Sequence, residues 1–286
     1  MNSLRELVAE ELDTPADPTV EMLASAVAAK HGEASRAVLF YGSCLRERRL
    51  DGLMLDFYLI VADYRSAYDR LWMAAANRLI PPNVFYFEKD GVRAKYAVLS
   101  EADFHRLNGP ETRSVSVWAR FAQPARLVWA ADGAARQRAI DAVARAAPTL
   151  LAAAGRRPGE EPLDWWRRAF ALTYSAELRA ERQGRSRSVV DRDPDRYARF
   201  TGPAAAAMPV TVSSSSWRRR RFEGKLLSAV RLAKASATFA GGADYIVWKI
   251  NRHAGTSIEL KPWQRRWPLL AAITLLPRFL RSGAVR

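Results

Sequence analysis

Hydrophobic and polar positions alternate in a way that separates the chain into three parts. Residues 3–30 carry apolar side chains at helical spacing and end near Gly32, and the pattern predicts one helix with that glycine at its C-terminus. Next come "RAVLFYG" and "LMLDFYLIVAD", rich in aromatic and β-branched residues, which predict two strands. "SAYDRLWMAAANRL" predicts an amphipathic helix stopped by Pro81 and Pro82. "NVFYFEKDGVRAKYAVLS" predicts a hairpin turning at Asp90-Gly91. The order α-β-β-α-β-β implies an α+β fold, a mixed sheet with helices packed against it.

Past Glu101 the pattern becomes helical. "AARQRAIDAVARAAPTLLAAA" and "LDWWRRAFALTYSAELRAERQGRS" predict helices separated by "GRRPGEEP". "TGPAAAAMPVTVSSSS" reads as a low-complexity linker. The expected organisation is a core over residues 1–130, a mostly helical, winged-helix-like domain over 131–205, and a basic C-terminal region over 206–286. No repeat with a period of 20–50 residues is visible.

Charge sharpens this division. The net charge is +15, but residues 1–110 hold 13 Lys/Arg against 16 Asp/Glu, whereas residues 211–286 hold 15 against 3. A tail so basic expects a polyanion, whether nucleic acid, an anionic membrane or phosphorylated substrates. A single cysteine, Cys44, rules out an internal disulfide, and the three histidines show no zinc-ligand spacing. Five acids in the first twenty residues argue against a targeting peptide. The most apolar stretch, Trp267 to Leu280, is short for a membrane span and contains two prolines.

Candidate chemistry lies in "VLFYGSCLRERRLDGLMLDFYLIV". A strand ending in Gly42-Ser43 can bring backbone N–H groups and a hydroxyl to a phosphate. Asp56, 13 residues after Ser43 in an apolar strand, can hold Mg²⁺ against that phosphate. This spacing is the signature of the polymerase-β-like nucleotidyltransferase fold, many members of which carry a second acid two residues further on. Here that position is Tyr58, so the second metal acid must come from elsewhere: Glu88 on a third strand, with Asp51 and Asp63 as weaker candidates. Lys95 can neutralise a phosphate or be an ordinary solvated strand lysine.

Four blocks in order over residues 38–250 extend the match. "YGSC" with "LMLDFYLIVAD", the hairpin with "KYAVLS", "LTYSAELRAERQGRSRSVV" with its acid Glu177, and "AVRLAKASATFAGGADYIVWKI" resemble the mitochondrial-type phosphatidate cytidylyltransferases, the translocator-maintenance family of CDP-diacylglycerol synthases. Cys44 stands where that family usually has glycine, and the tail is compact. The resemblance implies transfer of CMP from CTP to phosphatidic acid, with Mg²⁺ as cofactor. It implies Asp56 and Ser43 as catalytic residues, Asp56 and Glu88 as metal ligands, and Gly42, Ser43, Lys95, Lys234 and Lys249 as phosphate-binding residues. The basic tail then expects an anionic bilayer, with residues 261–286 as an interfacial anchor bearing Trp263, Trp267 and flanking arginines. That places the protein peripherally on the cytoplasmic face of a bacterial inner membrane, with no nucleic-acid partner. Two other readings stay open: a transferase acting on an RNA end, a sugar phosphate or another lipid, and a non-catalytic basic nucleic-acid-binding protein.

Overall fold

The structure is a computed structural model that describes residues 3–46, 53–177, 189–209, 216–238, 259 and 261–263. The N-terminal apolar stretch forms two helices, not one. Helix α1 (Leu4–Leu12) starts at a Ser3–Glu6 capping box. Helix α2 (Pro18–Ala29) restarts with Asp17 as N-cap and Pro18 in its first turn. The segment "DTPADP" therefore breaks a period that otherwise runs on.

Five strands form one mixed sheet in the order β3-β4-β2-β1-β5: β1 (Ser35–Tyr41), β2 (Met54–Val61), β3 (Asn83–Lys89), β4 (Val92–Ser100) and β5 (Ala125–Ala130). Only the β2–β4 pairing is parallel; its crossover carries the short helices α3 (Tyr64–Ala67) and α4 (Leu71–Leu79) and strand β3. The helix predicted over Ser66–Leu79 thus divides. The hairpin turns where expected, with Asp90 at φ 52° and Gly91 at φ 76°, the left-handed pair a tight two-residue turn requires.

Alternation along β2 assigns the two faces. Leu55, Phe57, Leu59 and Val61 point into one apolar core with α2 and the crossover. Tyr58 and Ile60 point into the other, larger core, capped by α1 and by α5 (Glu101–Asn108), α6 (Trp118–Phe121), α7 (Gly133–Ala144), α8 (Ala146–Ala154), α9 (Pro162–Ala176) and α10 (Pro194–Ala206). Residues on both sides of position 130, from Leu4 to Ala204, pack in that core. Among the described residues of 131–205 there is no strand.

Trp165 and Trp166 are buried in it, and Trp166 Nε1 donates to Thr201 Oγ1 at 2.9 Å. A buried Arg196–Glu11 ion pair fastens α10 to α1, with Nη2 donating to Oε1 at 2.9 Å. The expected linker is also revised. Thr201–Ala206 is the last part of α10, because Asp193-Pro194 caps a helix that buries Tyr197, Phe200 and Ala204. Past it, the Arg run opens the long helix α11 (Trp217–Thr238), which packs on α9 and β3. Among the described residues no helix is long and apolar enough to cross a membrane.

Candidate active site

Register brings three sequence candidates together. Asp56 on β2 lies opposite Tyr41 on β1 and opposite Lys95 on the parallel neighbour β4. Gly42 follows Tyr41 directly, so the turn after β1 sits beside the Asp56 carboxylate. Gly42 has φ 96°, and a Cβ there would lie 3.1 Å from Asp56 Oδ2. Both the conformation and the clearance call for glycine.

Ser43 opens the 3₁₀ turn Ser43–Arg46 and is exposed, while Cys44 turns inward. The thiol is buried in the α2-side core and donates to the Met54 carbonyl at 3.4 Å. A residue that fills apolar space, rather than a glycine, fits this turn.

Lys95 Nζ lies 3.0 Å from Asp56 Oδ1, with about a fifth of the Asp56 side chain exposed (19%). Oδ1 itself is buried and has no hydrogen-bond donor in line with it, so this contact is an ion pair and not a directed hydrogen bond. Two strand positions inward, Tyr58 is buried, with ring centroids 5.2 Å from both Tyr41 and Phe121. An aromatic wall thus occupies the place where a second carboxylate was sought. Burial pushes the Tyr41 hydroxyl well above its usual pKa, the charge of Asp56 adds to this, and the group stays a proton donor.

Two arginines complete the surroundings. Arg120 on α6 donates to the Ser116 carbonyl and lies 3.8 Å from Glu177, whose side chain is buried. Burial opposes its charge, but its neighbours Tyr58, Glu177, Tyr41 and Asp56 together outweigh burial and raise its pKa. Arg231 on α11 reaches the same spot: Nη1 donates to Ser116 Oγ at 2.8 Å and Nε to the Pro81 carbonyl at 2.7 Å. One serine therefore anchors cations from two distant parts of the chain. Neither arginine stood out in the sequence. The Arg120 signal was a charge inside the apolar "WARF", and Arg231 looked like any other cation of the tail.

Lys234 lies further along the same helix and donates to the carbonyls of Ile80 and of Pro82, the latter at 2.9 Å. Burial and then Arg231 push its pKa down to about 8. It pins α11 to the start of β3.

Glu88 is not brought to Asp56. The register pairs Asp56 with Lys95 and Lys95 with Tyr86, whereas Glu88 pairs with Arg93, which pairs with Met54. Glu88 is therefore two strands across and two residues along from Asp56, about 10 Å by about 7 Å from standard sheet spacings. It accepts from the Tyr86 hydroxyl and lies 3.5 Å from Arg93. Asp63 is used as the N-cap of α3, donated to by Arg65 and Ser66. Asp51, Lys249 and residues 264–286 fall outside the described residues.

Among the described residues no three His, Cys, Asp or Glu side chains converge. Among the described residues, the donor set at the sheet end is one carboxylate. Its buried Oδ1 lacks an in-line donor, and glycine leaves room at Oδ2. That fits a Mg²⁺ held through one carboxylate, with substrate phosphates and water as its other ligands. A separate cleft of about 350 Å³ between α1 and α10 is lined by Glu10, Glu11, Arg126 and Arg196, lies beyond β5, and has Glu11 and Arg196 paired with each other.

No known family model and no curated protein matches the chain. A solved structure of a nucleotidyltransferase-like protein from Exiguobacterium sibiricum 255-15 is similar at 12% identity and a TM-score of 0.29, with 92% of each chain covered. Identity and superposition at that level assign neither a fold family nor an activity.

Proposed function

We propose that the chain is a nucleotidyltransferase, and specifically a phosphatidate cytidylyltransferase that forms CDP-diacylglycerol and pyrophosphate at an anionic membrane surface. The observation that carries this reading is the Gly42 turn packed onto Asp56 with Lys95 across the parallel strand pair. A glycine turn and fixed cations suit a phosphate group, and a metal ion held by Asp56 would offset the carboxylate's own negative charge. The choice of CTP and phosphatidate rests on the sequence blocks and on the basic tail.

The chemistry asks little of a general base. A phosphate monoester has a second pKa near 6, so the acceptor oxygen is already ionised at neutral pH. That oxygen attacks the α-phosphorus of CTP; the new P–O bond forms, the α–β P–O bond breaks, and the electron pair leaves with pyrophosphate. Catalysis is then positioning and charge neutralisation. Gly42 and Ser43 place backbone N–H groups and a hydroxyl at the triphosphate. Lys95 supplies a fixed positive charge beside Asp56. Arg120 and Arg231 face the aromatic wall from the other side and can hold the acceptor phosphate, whose two negative charges they match. Tyr41, kept protonated, can donate to a phosphate oxygen. Mg²⁺ bound through Asp56 would neutralise the triphosphate and the leaving pyrophosphate.

A nucleotide-by-acceptor assay tests the reading. Purified full-length chain is incubated with each labelled nucleoside triphosphate, Mg²⁺ and a panel of phosphatidate, other phospholipids, sugar phosphates and RNA. Labelled CDP-diacylglycerol from CTP and phosphatidate alone is the expected product. Label transferred to a different acceptor overturns the lipid assignment, and no transfer anywhere overturns the transferase assignment.

A further inference from the structure

Helix α11 is inverted relative to an ordinary surface helix. Apart from Trp217, which packs on the larger core, and half-buried Leu227, its inward face is polar or bare. Arg220, buried, donates to the carbonyls of Thr112 (3.3 Å) and Arg113 (2.7 Å). Gly224 packs so closely on the Ala176 carbonyl that a Cβ there would lie 2.2 Å from it. Arg231 and Lys234 point inward, to Ser116 and to the carbonyls before β3. The outward face carries the apolar side chains: Phe222 is 72% exposed, Leu226 57% and Val230 37%. Spaced by four, they form one stripe along the helix. Exposed Arg218, Arg221 and Lys225 flank it. Leu79, 79% exposed, adjoins Ile80, whose carbonyl Lys234 binds.

A helix held by hydrogen bonds on its polar side, with an apolar stripe outside, is built to contact something. Charge decides what. Residues 261–286 hold six Lys/Arg and no acid, so the chain's own apolar tail repels this face, as does a second copy of it. A nucleic-acid backbone would use the cations but not Phe222, Leu226 and Val230. An anionic bilayer uses both: the stripe enters the acyl boundary and the cations meet the headgroups.

We infer that the outer face of α11 is a membrane-docking surface for anionic lipid. Docking there requires no nucleotide chemistry and is separate from the expected anchor at 261–286. It also explains why Arg231 follows Val230 directly. One residue lies on the bilayer side and the next reaches the site beside Arg120, about one helix diameter of about 10 Å away.

The test is sedimentation of the full chain with phosphatidylcholine vesicles, with and without phosphatidylglycerol. The Phe222→Ser/Leu226→Ser double variant keeps every cation. The expected result is binding only to the anionic vesicles, weakened at least about tenfold in the double variant, with an unchanged melting temperature and unchanged retention of RNA. Unchanged vesicle binding in the double variant overturns the inference. So does a melting temperature that falls with the binding, because the stripe is then packed within the protein. RNA binding without vesicle binding overturns it as well. Turnover of a dispersed short-chain phosphatidate, measured on the same samples, separates the two claims. Its absence in the wild type sinks the transferase reading while vesicle binding is still read out.

Discussion

Replacing Gly42 by Ala separates backbone strain from damage to the carboxylate. Two costs are expected. The first is conformational: φ 96° is a region that L-residues rarely adopt, and holding a non-glycine residue there costs about 1–3 kcal/mol. The second is local: the new methyl would lie 3.1 Å from Asp56 Oδ2, so the carboxylate or the turn must move by a few tenths of an ångström. Gly32 is the internal control. It also has positive φ, at 51°, but a Cβ there meets nothing within 4 Å. Gly32→Ala therefore carries only the conformational cost, about 1 kcal/mol for a left-handed residue. Urea unfolding of both variants gives the stability difference, and single-turnover transfer gives the functional one. Gly42→Ala should be the less stable of the two and should lose at least about tenfold in the transfer rate, because small misplacements of reacting groups are expensive. Gly32→Ala should transfer at the wild-type rate. Equal stability and equal activity for the two variants would refute the claim that the turn is fitted to Asp56.

Three further outcomes follow from the same geometry. Lys95→Met removes the charge facing Asp56 Oδ1; transfer should fall about a hundredfold, while a pair this open to solvent contributes only about 1 kcal/mol or less to urea stability. Tyr58→Asp should not create a second metal ligand. It removes the contacts to Tyr41 and Phe121 and buries a carboxylate, so a loss of about 3–5 kcal/mol is expected, and calorimetry that finds a wild-type melting temperature contradicts this. Lys234, with its pKa depressed to about 8 from 10.5, binds a proton less readily in the folded than in the unfolded chain. Below pH 8 both states are protonated and the penalty is fully present. Between pH 8 and 10.5 only the unfolded state keeps the proton, so stability should rise with pH across that window, and Lys234→Met should flatten the rise in pH-dependent unfolding.

The strands and the hairpin were legible because their signals are local. Aromatic and β-branched runs, together with Asp90-Gly91, leave few other structures open. Helix boundaries were less so. The apolar period runs through "DTPADP", and only the Asp17-Pro18 cap shows that the chain restarts there. Composition made Thr201–Ala206 look like a linker, but Tyr197 and Phe200, one turn before, tie that stretch to the core. At the site, Gly42, Asp56 and Lys95 could be read because neighbouring strands bring a fixed spacing to a fixed place. Glu88 could not be judged without the register, which carries it two strands away. Arg120 and Arg231 were invisible for a different reason. A surface arginine and a site arginine have the same sequence, and only the fold puts both on Ser116.

Transfer by Asp56→Asn tests the account most directly. The substitution keeps the size of the side chain and removes the one charge on which the Gly42 turn and Lys95 converge. The wild-type chain should form labelled CDP-diacylglycerol from CTP and phosphatidate with Mg²⁺. Asp56→Asn should form it at least about a hundredfold more slowly, with its fold and its vesicle binding intact. An Asp56→Asn variant that transfers at the wild-type rate would contradict the account.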